Sequence, residues 1–339
     1  MSQRPIEIIG GGLAGLSLGV ALRREAVPVT LHEAGSYPRH RVCGEFIAGL
    51  GGSTIDRLGL APELHDALPH EEVAWSIGGQ PSRIQRLPAP ALALSRHVLD
   101  GRLAHRFMAS GGVLHTQSRI TDHENRPGRV FANGRRRAAE PRWLGLKVHV
   151  RTLPLTRDLE MHVGEQSYIG LSRIAEGINV CGLFRRRAIA GRGVALLIDY
   201  VRAAGLGALA DRLAAAPIDT ESFCAVAALD FDRCVNHNDR VCLGDASAMI
   251  PPFTGNGMAM AFQSAELALT PLLAYARGDA SWAETCRAVH AALHERFRVR
   301  LASAQALHPF LLRPRHQRWF AALGRAGLLP FRPLYAALH

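Results

Sequence analysis

The chain has 339 residues, of which 48% are hydrophobic and 20% are charged, and its formal net charge is +11. This length is enough for two joined domains with a sizeable core. The six cysteines are scattered and none forms a C-x-x-C pair, so the sequence predicts neither a metal site nor a disulfide framework. No apolar run reaches the roughly 18 residues that a membrane-spanning helix needs, so none is predicted.

The positive charge is concentrated near the carboxyl end. Residues 287–339 contain nine arginines and one acid, Glu295. A solvated helical face would account for this, and the alternative is a surface that approaches an acidic partner such as a carrier protein, an anionic membrane or a phosphorylated substrate. Nucleic acid is not an expected partner, because no nucleic-acid-binding module is recognisable. The first strand begins by about Ile6, which leaves no room for a targeting peptide, and we expect a cytoplasmic protein.

The first elements are a strand, a glycine-rich turn, a helix, a second strand and an acid. The apolar residues 6–9 precede a G-x-G-x-x-G turn, the helix runs from Leu13 to about Arg24, and residues 28–33 form the second strand. In this arrangement the three glycines permit a tight turn, close approach of a pyrophosphate and close packing of helix on strand, while the acid binds a ribose. The helix N-terminus favours the pyrophosphate charge. The residues predicted to contact a dinucleotide are Gly10, Gly12, Leu13, Ala14, Gly15, Glu33 and Ala34.

Strands of a second sheet are expected after a loop over 34–46 and a short helix near 54–58. Residues 71–95 alternate apolar and polar in places, as a half-buried strand does. Ser95 then caps a helix that ends at two glycines, Gly111 and Gly112. Residues 113–116 follow as a strand, so the chain returns there to the dinucleotide domain.

The middle of the chain is polar and arginine-rich over 118–142, and strand-like again from residue 144. Four strand patterns with turn signals between them predict an antiparallel sheet over 144–184. Two helices follow, over 195–204 and 206–215. The run 205–210 imitates a second dinucleotide fingerprint, but it follows a helix rather than a strand, and we reject it as a nicotinamide site.

A second strand, loop and helix with glycines at the helix start lies over 240–273. The strand ends in Gly244-Asp245, and the helix begins near Met258. Beyond residue 280 the chain is helical and basic. Four prolines are expected to interrupt it: Pro309, Pro314, Pro330 and Pro333.

Three motifs carry a resemblance to a known family. They are the fingerprint ending at Glu33, the basic-x-Cys-Gly-Glu loop over 39–45, and Gly244-Asp245 followed by Pro-Pro-Phe-Thr-Gly-Asn-Gly-Met over 251–258. With them, residues 5–275 resemble the FAD-dependent oxidoreductases built like p-hydroxybenzoate hydroxylase, the class A flavin monooxygenases. The chain looks closest to the branch that contains geranylgeranyl reductases and many bacterial FAD-dependent oxidoreductases.

The resemblance implies an α/β fold in which a Rossmann-like FAD-binding domain of the GR2 type is interleaved with a mainly antiparallel β-sheet substrate domain. The FAD-binding domain would comprise 1–72, 95–138 and 222–278, and the substrate domain 73–94 and 139–221. A helical C-terminal region would follow over 279–339.

The resemblance also implies roles for individual residues. Asp245 would hydrogen-bond the ribitol chain, and the helix starting near Gly257 would direct its N-terminus at the flavin N1–C2 edge, where negative charge gathers on reduction. Cys43 would lie near the isoalloxazine as the candidate catalytic residue. The remaining residues implied to bind FAD are Arg41, Arg96, Pro252, Gly255, Asn256 and Met258.

Two departures from the family bear on its chemistry. Residues 130–135 carry Asn133 where the group has Asp, which weakens any expectation about nicotinamide docking. The reductases' Y-x-W-x-F-P element is represented only by residues 168–173, so a prenyl substrate is not implied, and the halogenases' W-x-W-x-I-P is missing.

Three functions stay open. The first is an NAD(P)H- and O2-using monooxygenase that hydroxylates a hydrophobic or aromatic substrate, either free or carrier-linked. The second is a reductase or dehydrogenase that acts on a carbon–carbon double bond, which makes more use of Cys43. The third is a flavin-binding protein without turnover. In either enzyme the cofactor carries the redox chemistry, and the candidate pocket residues are Trp75, His149, His162, Tyr168 and Leu171.

Overall fold

A computed structural model describes residues 3–122, 124–134, 142–229, 231 and 239–339. Arg135, at the end of the 130–135 segment, and Cys234 lie outside the described residues. The strands are β1 (Ile6–Ile9), β2 (Val29–His32), β3 (Phe46–Ile47), β4 (Leu68–Ile77), β5 (Gln80–Pro81), β6 (Gln85–Ala93), β7 (Val113–His115), β8 (Arg129–Phe131), β9 (Trp143–Val150), β10 (Leu159–Gly164), β11 (Ser167–Ile174), β12 (Gly177–Arg185), β13 (Ile218–Leu229) and β14 (Val241–Cys242). The helices are α1 (Leu13–Arg24), α2 (Gly52–Leu58), α3 (Ala61–Leu64), α4 (Arg96–Ala109), α5 (Gly193–Ala203), α6 (Gly207–Ala214), α7 (Gly257–Arg277), α8 (Trp282–Leu312), α9 (Pro314–Ala326) and α10 (Phe331–Leu338).

The smaller sheet is parallel, with strand order β14-β8-β1-β2-β7. At its centre Ile8 pairs with Leu31 on one side and with Val130 on the other, and all three are completely buried. A parallel strand buried on both faces needs such a run of apolar residues. Helices α1, α4, α7 and α8 contribute to the same core. The α/β fold with a Rossmann-like sheet is therefore confirmed.

The larger sheet has the order β13-β9-β12-β11-β10-β4-β6-β3, with β5 added on β4. Its pairs are antiparallel except β10 with β4, which run parallel. Because side chains alternate across a strand, Leu146, Val148 and Val150 point to one face, where they pack on α5 and α6. Lys147 and His149 therefore point to the opposite face, which we call the inner face.

The predicted domain limits stay a prediction. The larger sheet takes in β3 and the whole of β13, so it contains residues from stretches that were assigned to the FAD-binding domain. Strand β3 follows the 34–46 loop, whose Glu45 lies on the inner face beside Lys147.

The expected interruption at Pro309 is wrong. Helix α8 continues through Pro309 to Leu312, because a proline this close to a helix end removes little of the hydrogen bonding. The helix ends at Arg313, whose backbone is extended (φ −91°, ψ 124°) as that of a residue before proline usually is. Pro333 lies in the first turn of α10, where a proline is tolerated. Among the described helices, none combines the length and the apolar character needed to cross a bilayer.

Candidate functional site

The glycine-rich turn has the geometry that its three glycines were expected to permit. Gly10 has φ 111°, and a β carbon placed on it would overlap the carbonyl oxygen of Ala132. A β carbon on Gly15 would overlap the carbonyl oxygen of Gly10, so this glycine is what lets α1 pack against β1. A β carbon on Gly12 would meet no atom within 4 Å. The backbone at Gly12 therefore borders open space that a ligand can enter.

The N-termini of α1 and α7 lie close together. A β carbon placed on Gly244, just after β14, would lie 3.3 Å from Cβ of Ala14 and 3.7 Å from Cβ of Ala261. Neither helix has a side-chain cap or an acid in its first turn. Gly257, like Gly12, borders open space. Two uncapped helix N-termini, each with unpaired N–H groups and a positive dipole end, thus begin in one region.

Glu33 is buried and already occupied by protein donors. Its carboxylate accepts hydrogen bonds from the backbone N–H groups of Gly11 (2.9 Å) and Gly35 (2.8 Å) and from Arg39 (2.7 Å). A carboxylate offers about four acceptor positions. The structure therefore leaves fewer positions than the two that a ribose diol would use, unless Arg39 moves away. Ala34 is exposed beside it.

The two arginines implied to bind FAD converge on an acid that the sequence reasoning did not single out. Asp100 is completely buried and accepts hydrogen bonds from Arg41 (2.8 Å) and, through both oxygens, from Arg96 (2.7 and 2.9 Å). Burial would lower the pKa of Arg96, but the Asp100 carboxylate outweighs this and raises it. Arg41 also donates to the carbonyl oxygen of Gly11 (3.3 Å), which connects this pair to the glycine-rich turn.

A second buried charge network lies on the inner face of the larger sheet. Glu45 and Lys147 are both completely buried, with Lys147 Nζ 3.4 Å from Glu45 Oε1. His149 donates through Nε2 to Glu45 Oε2 at 2.6 Å, and the backbone N–H of Arg96 donates to Oε1. Burial would raise the pKa of Glu45, but the His149 hydrogen bond and the Lys147 charge lower it.

Lys147 is the only lysine among the 40 basic residues counted as Lys or Arg. Its ammonium also donates to His40 Nδ1 at 3.1 Å, and His40 stacks on His97 with ring centroids 4.4 Å apart. Burial, together with the charge of Lys147, lowers the pKa of His40 to about 4, so His40 is neutral at physiological pH and accepts that bond. Every other residue of this kind in the chain is an arginine, so position 147 alone carries a compact ammonium group in place of a larger, planar guanidinium.

Cys43 lies beside both networks. Its sulfur accepts from the backbone N–H of Glu45 at 3.4 Å, and Asn179 donates to its carbonyl oxygen at 3.0 Å. Burial raises the pKa of the Cys43 thiol despite the opposing charge of Arg96. The sulfur is therefore a protonated thiol at neutral pH.

The side chains of His40, His149 and Asp219 bring three potential ligand atoms within 4.8 Å of one another. The ammonium of Lys147 contacts one of them and would repel a cation. We assign no metal ion to this group.

The five predicted pocket residues divide between the two faces of the larger sheet. Strand register places Trp75, His149 and Tyr168 on the inner face. His162 and Leu171 lie on the other face, where His162 binds Glu160 (2.9 Å) and Leu171 packs with α5 and α6. The structure does not bring His162 and Leu171 to the site. Side chains alternate between the two faces of a strand, and His162 is one residue from inward-facing Val163, while Leu171 is three residues from inward-facing Tyr168.

His308, from α8, is the centre of an aromatic cluster on the inner face. Its ring centroid lies 5.4 to 6.0 Å from four aromatic rings. The aromatic cluster consists of His308, Trp143, Tyr168, Phe231 and Phe253. Nε2 of His308 is buried and has no hydrogen-bond partner among the described residues. The aromatic cluster is therefore a closely packed part of the apolar core that contains one unsatisfied polar atom.

The His308 ring makes a testable contribution to acid sensitivity. Burial lowers its pKa from 6.5 to about 4, so the unfolded chain binds this proton more readily than the folded chain. The neutral ring costs the folded protein nothing above pH 6.5. As the pH falls toward 4, the free energy of unfolding decreases, and at pH 5 the loss is about 2 kcal/mol. We expect His308→Phe to reduce the loss of unfolding free energy between pH 7 and pH 5 by that amount, measured by urea titration. An unchanged pH dependence would show that the ring is not held neutral by burial.

The remaining predicted cofactor residues lie in and after the loop before α7, and they differ in exposure. Asp245 and Pro252 are exposed, whereas Met258 is buried, and Gly255 has φ 69° at a place where a β carbon would lie 2.8 Å from the Phe46 ring. Asn256 is completely buried, and its side-chain amide donates to the carbonyl oxygen of Leu338, while its Oδ1 has no partner among the described residues. Helix α10 therefore covers this residue.

Sequence reasoning missed Asp100, Lys147 and His308 as members of the site. Two signals were present: Asp100 follows Arg96 by four residues on one helix face, and Lys147 is a lone lysine among apolar strand residues. For His308 the sequence offers no such signal, because α8 is far from the larger sheet along the chain.

Neither a protein-family model nor a curated protein sequence matches this chain. Among solved structures, PqsL, a probable FAD-dependent monooxygenase from Pseudomonas aeruginosa, matches with 16% identity and a TM-score of 0.69, over 93% of this chain and 98% of that one. The p-nitrophenol 4-monooxygenase PnpA from Pseudomonas putida matches with 14% identity and a TM-score of 0.73, over 99% of both chains. A geranylgeranyl bacteriochlorophyll reductase-like protein from Thermoplasma acidophilum matches with 15% identity and a TM-score of 0.73, over 100% of this chain and 96% of that one. The resemblance implied by the three motifs is thus confirmed at the level of architecture: the chain has the fold of these monooxygenases and of this reductase-like protein.

Proposed function

We propose that the protein is an FAD-dependent oxidoreductase. The observation that carries this proposal is the meeting of two uncapped helix N-termini near Gly244, with Gly12 and Gly257 bordering open space. Such a region suits a pyrophosphate and an electron-accepting ring, both of which gather negative charge. The arginine pair held by Asp100 adds positive charge next to the turn.

Two contacts within the protein involve residues that FAD would need to reach. Arg39 occupies Glu33, and α10 covers Asn256, so we infer that both contacts rearrange when the cofactor binds. The unpartnered Oδ1 of Asn256 would then be available to a donor on the ligand. When bound, FAD would supply the redox chemistry, and the residues of the chain would bind, orient and exclude water.

The reaction that we favour is hydroxylation of a hydrophobic or aromatic substrate, with NAD(P)H as electron donor and O2 as co-substrate. The aromatic cluster supports it, because it offers an apolar wall on the inner face next to the loop before α7. The substrate could be free or attached to a carrier. We place this activity in the cytoplasm, where a nicotinamide donor and reduced thiols are available.

A reductase acting on a carbon–carbon double bond is the second candidate. The protonated thiol of Cys43, beside the Glu45, His149 and Lys147 network, favours it, because reduction of a double bond needs a proton as well as a hydride. The thiol would deliver the proton, and the network would hold the thiol in position and return a proton to it.

One series of measurements separates these functions. Purified protein should be yellow and should release FAD on denaturation. NAD(P)H oxidation that consumes O2 and yields a product heavier by one oxygen selects the monooxygenase. Anaerobic reoxidation of the reduced flavin by an unsaturated compound selects the reductase. Protein that binds FAD but shows neither reaction would leave a flavin-binding protein without turnover, and colourless protein that cannot be loaded with FAD would overturn the proposal.

A further inference from the structure

Helix α9 has an inner side that is fixed to the larger sheet. The side chain of Gln317 is buried, and its amide donates to the carbonyl oxygens of Gly164 and Leu311, both at 2.7 Å. A β carbon on Gly324 would lie 2.7 Å from the Ser82 hydroxyl, so the helix approaches the sheet closely there. Ala321 is buried in the same apolar cluster as Tyr168. The helix is therefore held in one orientation, and its other side is presented to solvent.

The outer side of α9 carries large apolar side chains that nothing in the described chain covers. Trp319 is 72% exposed and Leu323, four residues later, is 37% exposed. Leu328, directly after the helix, is 68% exposed, and Phe310 near the end of α8 is 49% exposed. Three of the seven large apolar residues that are exposed among the described residues therefore lie between 319 and 328, and Phe310 stacks on His316 of α9 with ring centroids 4.5 Å apart. Grouped exposure of this kind marks an interaction surface rather than ordinary surface composition.

The same outer side is strongly basic. Arg315, Arg318 and Arg325 are exposed, and none of them forms an ion pair with an acid among the described residues. Neither α9 nor α10 contains an acid, since Glu295 is the only one after residue 287. The guanidinium of Arg83, from the connection between β5 and β6, would lie 2.6 Å from a β carbon on Gly327 and extends the positive charge. The charge calls for an anionic partner.

We propose that this outer side docks on the surface of an anionic lipid bilayer. The α9 surface consists of Arg315, Arg318, Trp319, Leu323, Arg325 and Leu328. A helix that lies in the membrane interface combines a basic side with Trp and Leu that enter the boundary between headgroups and acyl chains. Tryptophan suits that depth because its ring is apolar and its N–H is polar. The 13 residues of α9 give about 20 Å of helix, which suits a helix that lies in the interface.

The positive charge and the exposed apolar side chains together favour a bilayer over an acidic protein. A carrier protein would also attract arginines, but it would not provide a fluid apolar phase for the Trp319 and Leu323 side chains that protrude from the helix. A second copy of this chain would place two basic surfaces against each other, which like charges oppose.

Docking there would place the membrane next to the aromatic cluster. The inner side of α9 packs on that cluster through Phe320 and Ala321, so one helix diameter, about 10 Å, separates it from the lipid. An apolar substrate dissolved in the bilayer would then lie near Trp75, which with Phe320 and Leu329 lines a crevice that admits a substrate only if these side chains move apart. This last step rests on the proposed function, whereas the docking itself does not.

The experiment is cosedimentation of the full chain with vesicles. We expect binding to vesicles of phosphatidylcholine with 30 mol% phosphatidylglycerol, weak binding to phosphatidylcholine alone, and loss of binding in high salt. The triple variant Arg315→Ser, Arg318→Ser, Arg325→Ser should bind roughly 100-fold more weakly, since each arginine near an anionic surface contributes roughly fivefold, or about 1 kcal/mol. Brominated lipids should quench part of the tryptophan fluorescence, and Trp319→Phe should remove that quenching.

The matched control removes the same charge from α8, in the variant Arg287→Ser, Arg296→Ser, Arg298→Ser. It should bind less than threefold more weakly, and all variants should keep the thermal unfolding midpoint and the FAD content of the parent. Equal loss in both triples, equal binding to neutral vesicles, or a dimer that Trp319→Ser abolishes together with an absence of vesicle binding would each overturn the proposal. Vesicle binding is measured without turnover, so failure of the docking and failure of the oxidoreductase function give different results.

Discussion

Lys147→Met should destabilise the protein by about 3 kcal/mol or more. The substitution removes the buried ammonium that faces Glu45, and an unpaired buried charge typically costs about 3 to 5 kcal/mol. His149 still donates to the same carboxylate, so we expect the lower end of that range. Urea unfolding at pH 7, followed by circular dichroism, measures the change in the free energy of unfolding.

The control variants separate the charge from the side-chain volume. The double variant Glu45→Gln, Lys147→Met should recover part of the loss, because neither partner is then left charged alone. Arg151→Met removes an exposed charge just after the same strand and should change stability by no more than about 0.5 kcal/mol. If Lys147→Met unfolded at the same urea concentration as the parent, the buried ion pair would not exist in solution.

Gly12→Ala should weaken FAD binding by about 100-fold and leave the fold intact. The added methyl group meets no protein atom within 4 Å, so the free energy of unfolding without cofactor should change by no more than about 0.5 kcal/mol. It would occupy the space that a pyrophosphate needs, and the loss of two charge-assisted hydrogen bonds from backbone N–H groups corresponds to that factor. Equilibrium dialysis against FAD measures the affinity, and urea unfolding of the apoprotein measures the stability.

Gly15→Ala is the matched control, and we expect it to destabilise the fold even without cofactor. Its methyl group would overlap the carbonyl oxygen of Gly10, a backbone atom that cannot rotate away. Helix α1 would have to shift from β1, at a cost of about 3 kcal/mol in the absence of any cofactor. If Gly12→Ala bound FAD as well as the parent did, the turn would be only a structural device and the proposed cofactor site would be wrong.

The arginine pair and the glutamate network show two ways of holding charge inside one protein. Arg41 and Arg96 share one completely buried carboxylate, Asp100, so this group keeps a net positive charge next to the glycine-rich turn. Glu45 and Lys147 neutralise each other, His40 is neutral, and His149 is hydrogen-bonded to Glu45. The first arrangement suits binding of an anion, and the second suits movement of a proton without a change in net charge.

Local sequence determined the glycine-rich turn and the elements on either side of it. The order of apolar strand, three glycines, helix and acid is contiguous over 6–33, and Gly15 has its steric reason within that stretch, the carbonyl oxygen of Gly10. The steric reason for Gly10 is Ala132, which only the tertiary structure brings there. The resemblance carried by the 39–45 and 251–258 motifs likewise led to the right architecture. The alternation in β9 and β11 predicted a sheet for the same local reason.

Only the tertiary structure decided which predicted side chains meet. His162 and Leu171 share strands with Val163 and Tyr168, and nothing in a single strand tells which face a domain will cover. Asn256 reads as a helix-start residue, yet α10 arrives from 82 residues later in the chain and covers it. Glu45 meets Lys147 because the 34–46 loop folds onto the inner face of the larger sheet, and His308 meets Trp143 because α8 packs on the same face. Contacts over such sequence separations depend on packing rather than on local pattern.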